Sequence, residues 1–237
     1  MIIESLYPEI CCLYGDKGNI VYLKHCLPEA TFAETSLTSE PVFARQSIDL
    51  LYLCSMSEGA QEIAIQQLTP YRNELAKLIE DGKTTILLTG NALEILGQYI
   101  QRPDGSKIEG LGLLDFHSVR QTPNRFNSLV LADFQGTKIV GYTSRFSHTY
   151  TDATDNYLFK VEKGVGFNPD TNLEGLHQGK LFATYLHGPL LIANPAFAKA
   201  LLAEMGVTLP RLPFEDEVER AYLKKLAEYE QPSLQLD

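Results

Sequence analysis

The stretch Thr84–Gly97, TTILLTGNALEILG, decides the fold. Its apolar run, Thr84–Leu88, reads as a buried strand. Thr89, Gly90 and Asn91 then form a tight turn, and a helix begins at once. In α/β hydrolytic folds such a junction holds a nucleophile on a sharp turn above the sheet, beside a helix N-terminus that stabilises an anion. Here the turn carries Thr-Gly-Asn and neither cysteine nor serine. Far downstream, TYLHGPLL (Thr184–Leu191) presents His187 at the end of another apolar strand, where a base for that nucleophile would stand.

Outward from this junction, apolar runs alternate with helical patterns. Ile10–Leu13 reads as a strand, Gly18–Leu27 as a helix that Pro28 ends, and Thr31–Leu37 as a second strand. Ile48–Cys54 is a third, apolar enough to be buried on both faces. One or two helices follow Ser57; Pro70 opens the second, which carries Leu75, Leu78 and Ile79 at helical spacing. This alternation predicts a doubly wound α/β fold with a parallel sheet.

From Lys107 the texture turns β-rich. Leu129–Asp133 and Lys138–Tyr142 flank a hairpin turn at Phe134–Thr137, and Leu158–Glu162 and Lys180–Tyr185 add strands. These extend the sheet or lay a smaller antiparallel layer beside it. Phe214, Val218, Tyr222, Leu226 and Tyr229 fall on one helical stripe opposite a charged face. No low-complexity linker interrupts the chain. Residues 1–209 are therefore expected to form one domain, with 210–237 as a C-terminal helix and tail packed on it.

The formal charge of −10 argues against a nucleic-acid or anionic-membrane partner, since both need a basic face. No apolar run approaches the ~20 residues of a membrane span. The N-terminus, with Glu4 and no basic leader, does not read as a signal peptide. Cys11, Cys12, Cys26 and Cys54 lack the spacing of zinc ligands, and His25, His117, His148 and His177 show no ligand spacing with one another. No metal or cofactor is expected. A cytoplasmic setting is, and it disfavours disulfides.

Three further pieces, in order along the chain, carry a resemblance: LYGDKGNIVYL (Leu13–Leu23), PDGSKIEGLGLLDF (Pro103–Phe116) and TYLHGPLL. Together they resemble the class I glutamine amidotransferases of the CobB/CobQ (cobyric acid synthase) branch. Within it they are most similar to the GatD-type subunits that supply ammonia for amidating lipid II. The resemblance runs over roughly residues 10 to 205 and implies a flavodoxin-like α/β fold, a central mainly parallel sheet flanked by helices, with β-rich additions in the second half. It implies a cysteine at the strand-helix elbow that attacks the side-chain amide of glutamine. It also implies a histidine that moves the proton, and backbone N–H groups of a glycine-rich loop that bind the oxyanion.

Carried over residue by residue, the resemblance puts the nucleophile position on Gly90 and the following glycine on Asn91. Thr89 has a hydroxyl, but the elbow directs its neighbour toward the site. The oxyanion loop falls on Cys54-Ser55-Met56-Ser57, where the family has glycines, and Ser144–Thr149 departs from the family's segment in most positions. His187 falls on the family base; its other reading is a strand-end histidine held by hydrogen bonds. Arg125 falls where GatD-like proteins contact substrate, and equally reads as a surface arginine stacked on Phe126 or Phe116. Cys54 is the one thiol that a relocated nucleophile would use.

The expectation is thus an amidotransferase-like subunit without glutaminase activity. By resemblance it acts as partner or regulator of a Mur-ligase-like synthetase subunit in cell-wall precursor amidation. Two alternatives stand beside it. One is an active amidotransferase or hydrolase, in peptidoglycan or cobalamin synthesis, using Cys54. The other is a sensor binding glutamine or a related small acid through Arg125 and the helix start at Asn91.

Overall fold

The computed structural model describes residues 1–152 and 154–232. The chain opens with β1 (Ile2–Leu6), α1 (Lys17–Cys26), β2 (Thr31–Thr35) and β3 (Leu50–Leu53), followed by α2 (Glu58–Leu68), α3 (Arg72–Asp81) and β4 (Thr85–Thr89). Then come β5 (Tyr99–Gln101), β6 (Lys107–Glu109), β7 (His117–Arg120), β8 (Phe126–Phe134), β9 (Thr137–Arg145) and β10 (Ser147–Tyr150). β11 (Tyr157–Lys163), β12 (Leu173–Gln178) and β13 (Leu181–Thr184) lead into α4 (Leu190–Ala193), α5 (Pro195–Glu204) and α6 (Glu215–Tyr229).

Nine strands form one sheet in the order β2-β1-β3-β4-β13-β12-β11-β8-β9. Its first five are parallel and the remaining pairings antiparallel. The order 2-1-3-4, completed by β13, is that of a flavodoxin-like sheet, in which ligands sit beyond the carboxyl ends of the strands. β3 and β4 are buried at every residue, as strands covered on both faces must be. A separate sheet, β10-β7-β5-β6, lies beside the large one, so the β-rich half both extends the sheet and adds a second layer. The β8–β9 hairpin turns at Gln135 and Gly136, both at positive φ, as a two-residue hairpin turn requires.

Two local expectations are corrected. Ile10–Leu13 is no strand; it is a turn in which only Cys11 makes an isolated bridge, to Met56. The first strand lies earlier, at Ile2–Leu6, where Glu4 interrupts the apolar run. That carboxylate is fully buried and accepts from Thr35 Oγ1 at 2.5 Å, Val42 N at 2.7 Å and Phe43 N at 2.8 Å. These bonds offset the desolvation that would otherwise keep a carboxylate out of a core strand. The second correction concerns the segment after the elbow, Gly90–Leu96, which winds as a 3-10 helix rather than an α-helix. The carbonyls of Ile95, Leu96 and Gly97 accept instead from the backbone of residues 111–114.

The α6 stripe places Val218 in the main core. Tyr229 packs with Leu131 and Val140, joined by Tyr222, Leu226 and Leu129. Tyr222 Oη donates to Lys138 O at 2.8 Å and Tyr229 Oη to Gly141 O at 3.0 Å, fixing the helix on β8 and β9. Phe214 departs from the expected stripe: it precedes the helix at φ 56° and is 56% exposed. The end of the expected tail, residues 233–237, lies outside the described residues.

Candidate functional site

Four loops meet beyond the carboxyl ends of β1, β3, β4 and β13. They bring Tyr14, Ser55, Met56, Asn91 and His187 around one pocket of about 60 Å³, with Asp16 bonded to Ser55 and Gly90 facing Ser55 and His187 behind it. Typical ligand pockets hold about 300–1,000 Å³.

Gly90 sits at φ +61°, the left-handed conformation that a sharp strand-to-helix elbow imposes. A Cβ built on it would lie 3.0 Å from both Nδ1 and Cε1 of His187. The position therefore points straight at the imidazole. The same Cβ would lie 2.4 Å from Ser55 Cβ, a distance no pair of carbons tolerates. The Ser55 side chain fills the space that a side chain at position 90 would need. Thr89 is fully buried, and its hydroxyl lies 3.3 Å from Tyr52 Oη.

The Ser55 hydroxyl and N–H both donate to Asp16 Oδ2, the latter at 3.0 Å. Asp16 Oδ1 accepts from Gly188 N, which ties the loop after β1 to the turn that carries the histidine. Asp16 is fully buried, and desolvation raises its pKa against the lowering effect of these bonds.

Around the expected oxyanion loop the backbone is already committed. Met56 N–H donates to Asn91 Oδ1 at 3.0 Å, and Asn91 Nδ2 donates back to Met56 O at 2.8 Å. Asn91 thus closes on the loop with both ends of its amide. One N–H of its amide nitrogen is not accounted for by these bonds, Asn91 lines the pocket, and the helix start behind it is 3-10.

His187 is 6% exposed. Its Nε2 lies 3.0 Å from Ser144 O; a carbonyl only accepts, so Nε2 carries the proton and Nδ1 the lone pair. Nδ1 has no hydrogen-bond partner and stands 4.0 Å from Asp16 Oδ2. The Tyr14 ring stacks over the imidazole at 4.3 Å and 30°. Burial first, then the positive charges of Arg145 and Arg125, push the His187 pKa down to about 4, against the raising effect of the Ser144 bond. At neutral pH the ring is therefore uncharged.

Arg125 borders the pocket. It donates to Tyr14 Oη and, at 3.2 Å, to Ser144 Oγ. Its guanidinium lies 4.1 Å over the ring of Phe146, rather than Phe126 or Phe116. Among the described residues it has no carboxylate partner. Cys54 is not brought to the pocket. It is 5% exposed within the apolar core, and burial and then the nearby Asp16 charge hold its thiol far above the ordinary range.

Tyr14 and Asp16, inside LYGDKGN, and Ser55, inside the expected oxyanion loop, have no sequence signal of their own beyond their places in those segments. No group of three or more histidine, cysteine or acidic residues among the described residues is placed to hold a metal, and no described helix is long and apolar enough to cross a membrane.

Comparison with known proteins gives concordant likenesses. A family model for the CobB/CobQ-like glutamine amidotransferase domain matches residues 3–195. Subunit GatD of the lipid II isoglutaminyl synthase (glutamine-hydrolyzing) of Staphylococcus aureus (strain N315) is 32% identical over 208 residues, covering 86% of this chain and 83% of that one. The GatD subunit of Streptococcus pneumoniae (strain ATCC BAA-255 / R6) is 28% identical over 207 residues, 84% of this chain and 78% of its own. A solved glutamine amidotransferase structure superposes with a TM-score of 0.58 at 15% identity, over 86% of this chain and 100% of its own, a likeness of fold alone.

Proposed function

This chain belongs to the CobB/CobQ-like glutamine amidotransferase family, and from that premise we propose that it is a GatD-like subunit of lipid II amidation that does not hydrolyse glutamine. Its role is that of a partner or regulator of a Mur-ligase-like synthetase subunit. The pathway comes from the names of the two GatD relatives, and the partner from the resemblance to GatD-type subunits.

One observation carries the non-catalytic reading. The elbow position whose Cβ would face His187 is a glycine, and Ser55 occupies the space in front of it. A thioester needs a sulfur within about 3–3.5 Å of the glutamine amide carbon. The Met56 N–H spent on Asn91 supports the same reading. Loss of a single oxyanion donor costs about 3–4 kcal/mol of transition-state stabilisation.

The reading is tested with an electrophilic glutamine mimic and peptide mapping of the full chain. No covalent adduct is expected on any residue bordering the pocket. An adduct on Cys54 or Ser55 whose formation needs His187 overturns the proposal in favour of an enzyme with a relocated nucleophile.

A second reading is favoured by one feature: Arg125 borders the pocket without a carboxylate partner. A small acid seated on it would make the subunit a sensor. Calorimetry with glutamine and glutamate tests this reading; heat that Arg125→Gln abolishes supports it, and absence of heat from both acids removes it.

A further inference from the structure

Away from the elbow, the four-stranded sheet borders a cavity of about 300 Å³, five times the volume of the elbow pocket. In register, Tyr150 stands opposite His117, and His117 pairs with Tyr99 on the next strand. Directly opposed residues share a sheet face, so the three rings form one ladder. Tyr99 and His117 stack at 4.9 Å and 22°, His117 and Tyr150 at 5.6 Å and 21°. Lys107 Nζ caps the Tyr99 end at 3.6 Å from the ring centroid. The ladder already uses a cation there.

The other end has no such cap. β10 is the edge strand, and among the described residues no cation and no ring beyond His117 meets Tyr150. The cavity beside it is lined by Asp115, Asp152 and Asn168, with no lysine or arginine. Neither aspartate has an ion pair among the described residues. The walls are braced: Thr151 Oγ1 donates to Asp115 O at 3.1 Å, and Asn168 Nδ2 to Thr149 O at 2.7 Å.

These features select one ligand chemistry. Two carboxylates without an ion pair among the described residues, on a chain of net charge −10, repel anions. The ring spacings leave no gap for a further aromatic plane between the stacked rings. A small cation gains from both the carboxylates and the electron-rich face of a tyrosine. We propose that this cavity binds an alkylammonium ion, a primary amine on a short apolar stem, seated at the uncapped Tyr150 end of the ladder with Asp115 and Asp152 as its counter-ions. The site is independent of whether the elbow is catalytic.

The test is an NMR titration of the full chain with n-butylammonium, with Nα-acetyl-lysine amide, and with n-butanol as the uncharged control. The expected result is saturable shifts of the Tyr150 ring signals with both amines, and binding of n-butanol weaker by about tenfold or more. Asp115→Asn and Asp152→Asn, both at exposed positions, should each weaken amine binding several-fold while leaving signals elsewhere unmoved. Tighter binding of the lysine derivative assigns the site to a protein or peptide side chain, tighter binding of n-butylammonium to a free amine. Equal affinity for n-butanol, no saturable shift at Tyr150, or aspartate variants that bind as the parent does would each overturn the proposal.

Discussion

Two turns leave the same edge of the sheet, one after β4 and one after β13, and they are built differently. The β4 turn has a strained backbone and no side chain at its apex: Gly90 holds φ +61° with Ser55 in front of it. The β13 turn keeps its reactive side chain, His187, in a full set of contacts. The Ser144 carbonyl, the Tyr14 ring and the Asp16–Gly188 tie all hold that turn in place. The difference teaches that a histidine at such a turn is held in place by packing and hydrogen bonds of its own. An elbow glycine, by contrast, makes room that a neighbouring loop takes up.

The largest effect that sharpens this comparison comes from refilling the elbow. Gly90→Cys places a Cβ 2.4 Å from Ser55 Cβ and a non-glycine residue at positive φ. The expected loss is about 2–5 kcal/mol of stability in urea melts. Gly90→Cys combined with Ser55→Gly should recover part of that loss and yield a thiol that alkylating reagents reach. Glutamate release should still stay at background, because Met56 N–H remains bonded to Asn91. A single Gly90→Cys variant as stable as the parent breaks the steric argument.

A second effect is set by pH. The folded pKa of His187 is lowered from 6.5 to about 4, so protonation favours the unfolded chain. The stability contributed by its neutral ring is present above pH 6.5 and is lost as pH falls through about 4, a change of about 3 kcal/mol. His187→Gln should remove that part of the acid sensitivity, measured as the difference between urea melts at pH 7 and pH 4. An unchanged difference shows that the histidine is not held neutral by its burial.

Next in size is the loop clasp. Asn91→Ala leaves the Met56 N–H and C=O without their partners, for an expected cost of about 1–3 kcal/mol. Smallest is the cap: Tyr14 is 41% exposed, so Tyr14→Ala should cost no more than about 1 kcal/mol. It should nonetheless speed modification of His187 by diethyl pyrocarbonate, and an unchanged rate would show that the ring does not shield the imidazole.

The contrast between the two turns was partly legible in the sequence. Thr84–Gly97 and TYLHGPLL announce their strands through unbroken apolar runs, and a glycine at the elbow is visible without coordinates. Glu4 hid the first strand, because a carboxylate inside a core strand is explained by the Thr35 hydroxyl and the backbone amides of Val42 and Phe43, all far along the chain. The 3-10 winding of Gly90–Leu96 was hidden for a related reason: the carbonyls that decide it are claimed by residues 111–114. Ser55, Asp16 and Tyr14 are ordinary loop residues until folding brings them to the elbow. Local pattern thus located the two turns, and long-range hydrogen bonds determined what stands between them.

The most direct test of the central claim is glutamate release from glutamine by the purified full chain, compared with a buffer control. Release indistinguishable from the control is the predicted result. Clear turnover that His187→Ala abolishes would contradict it.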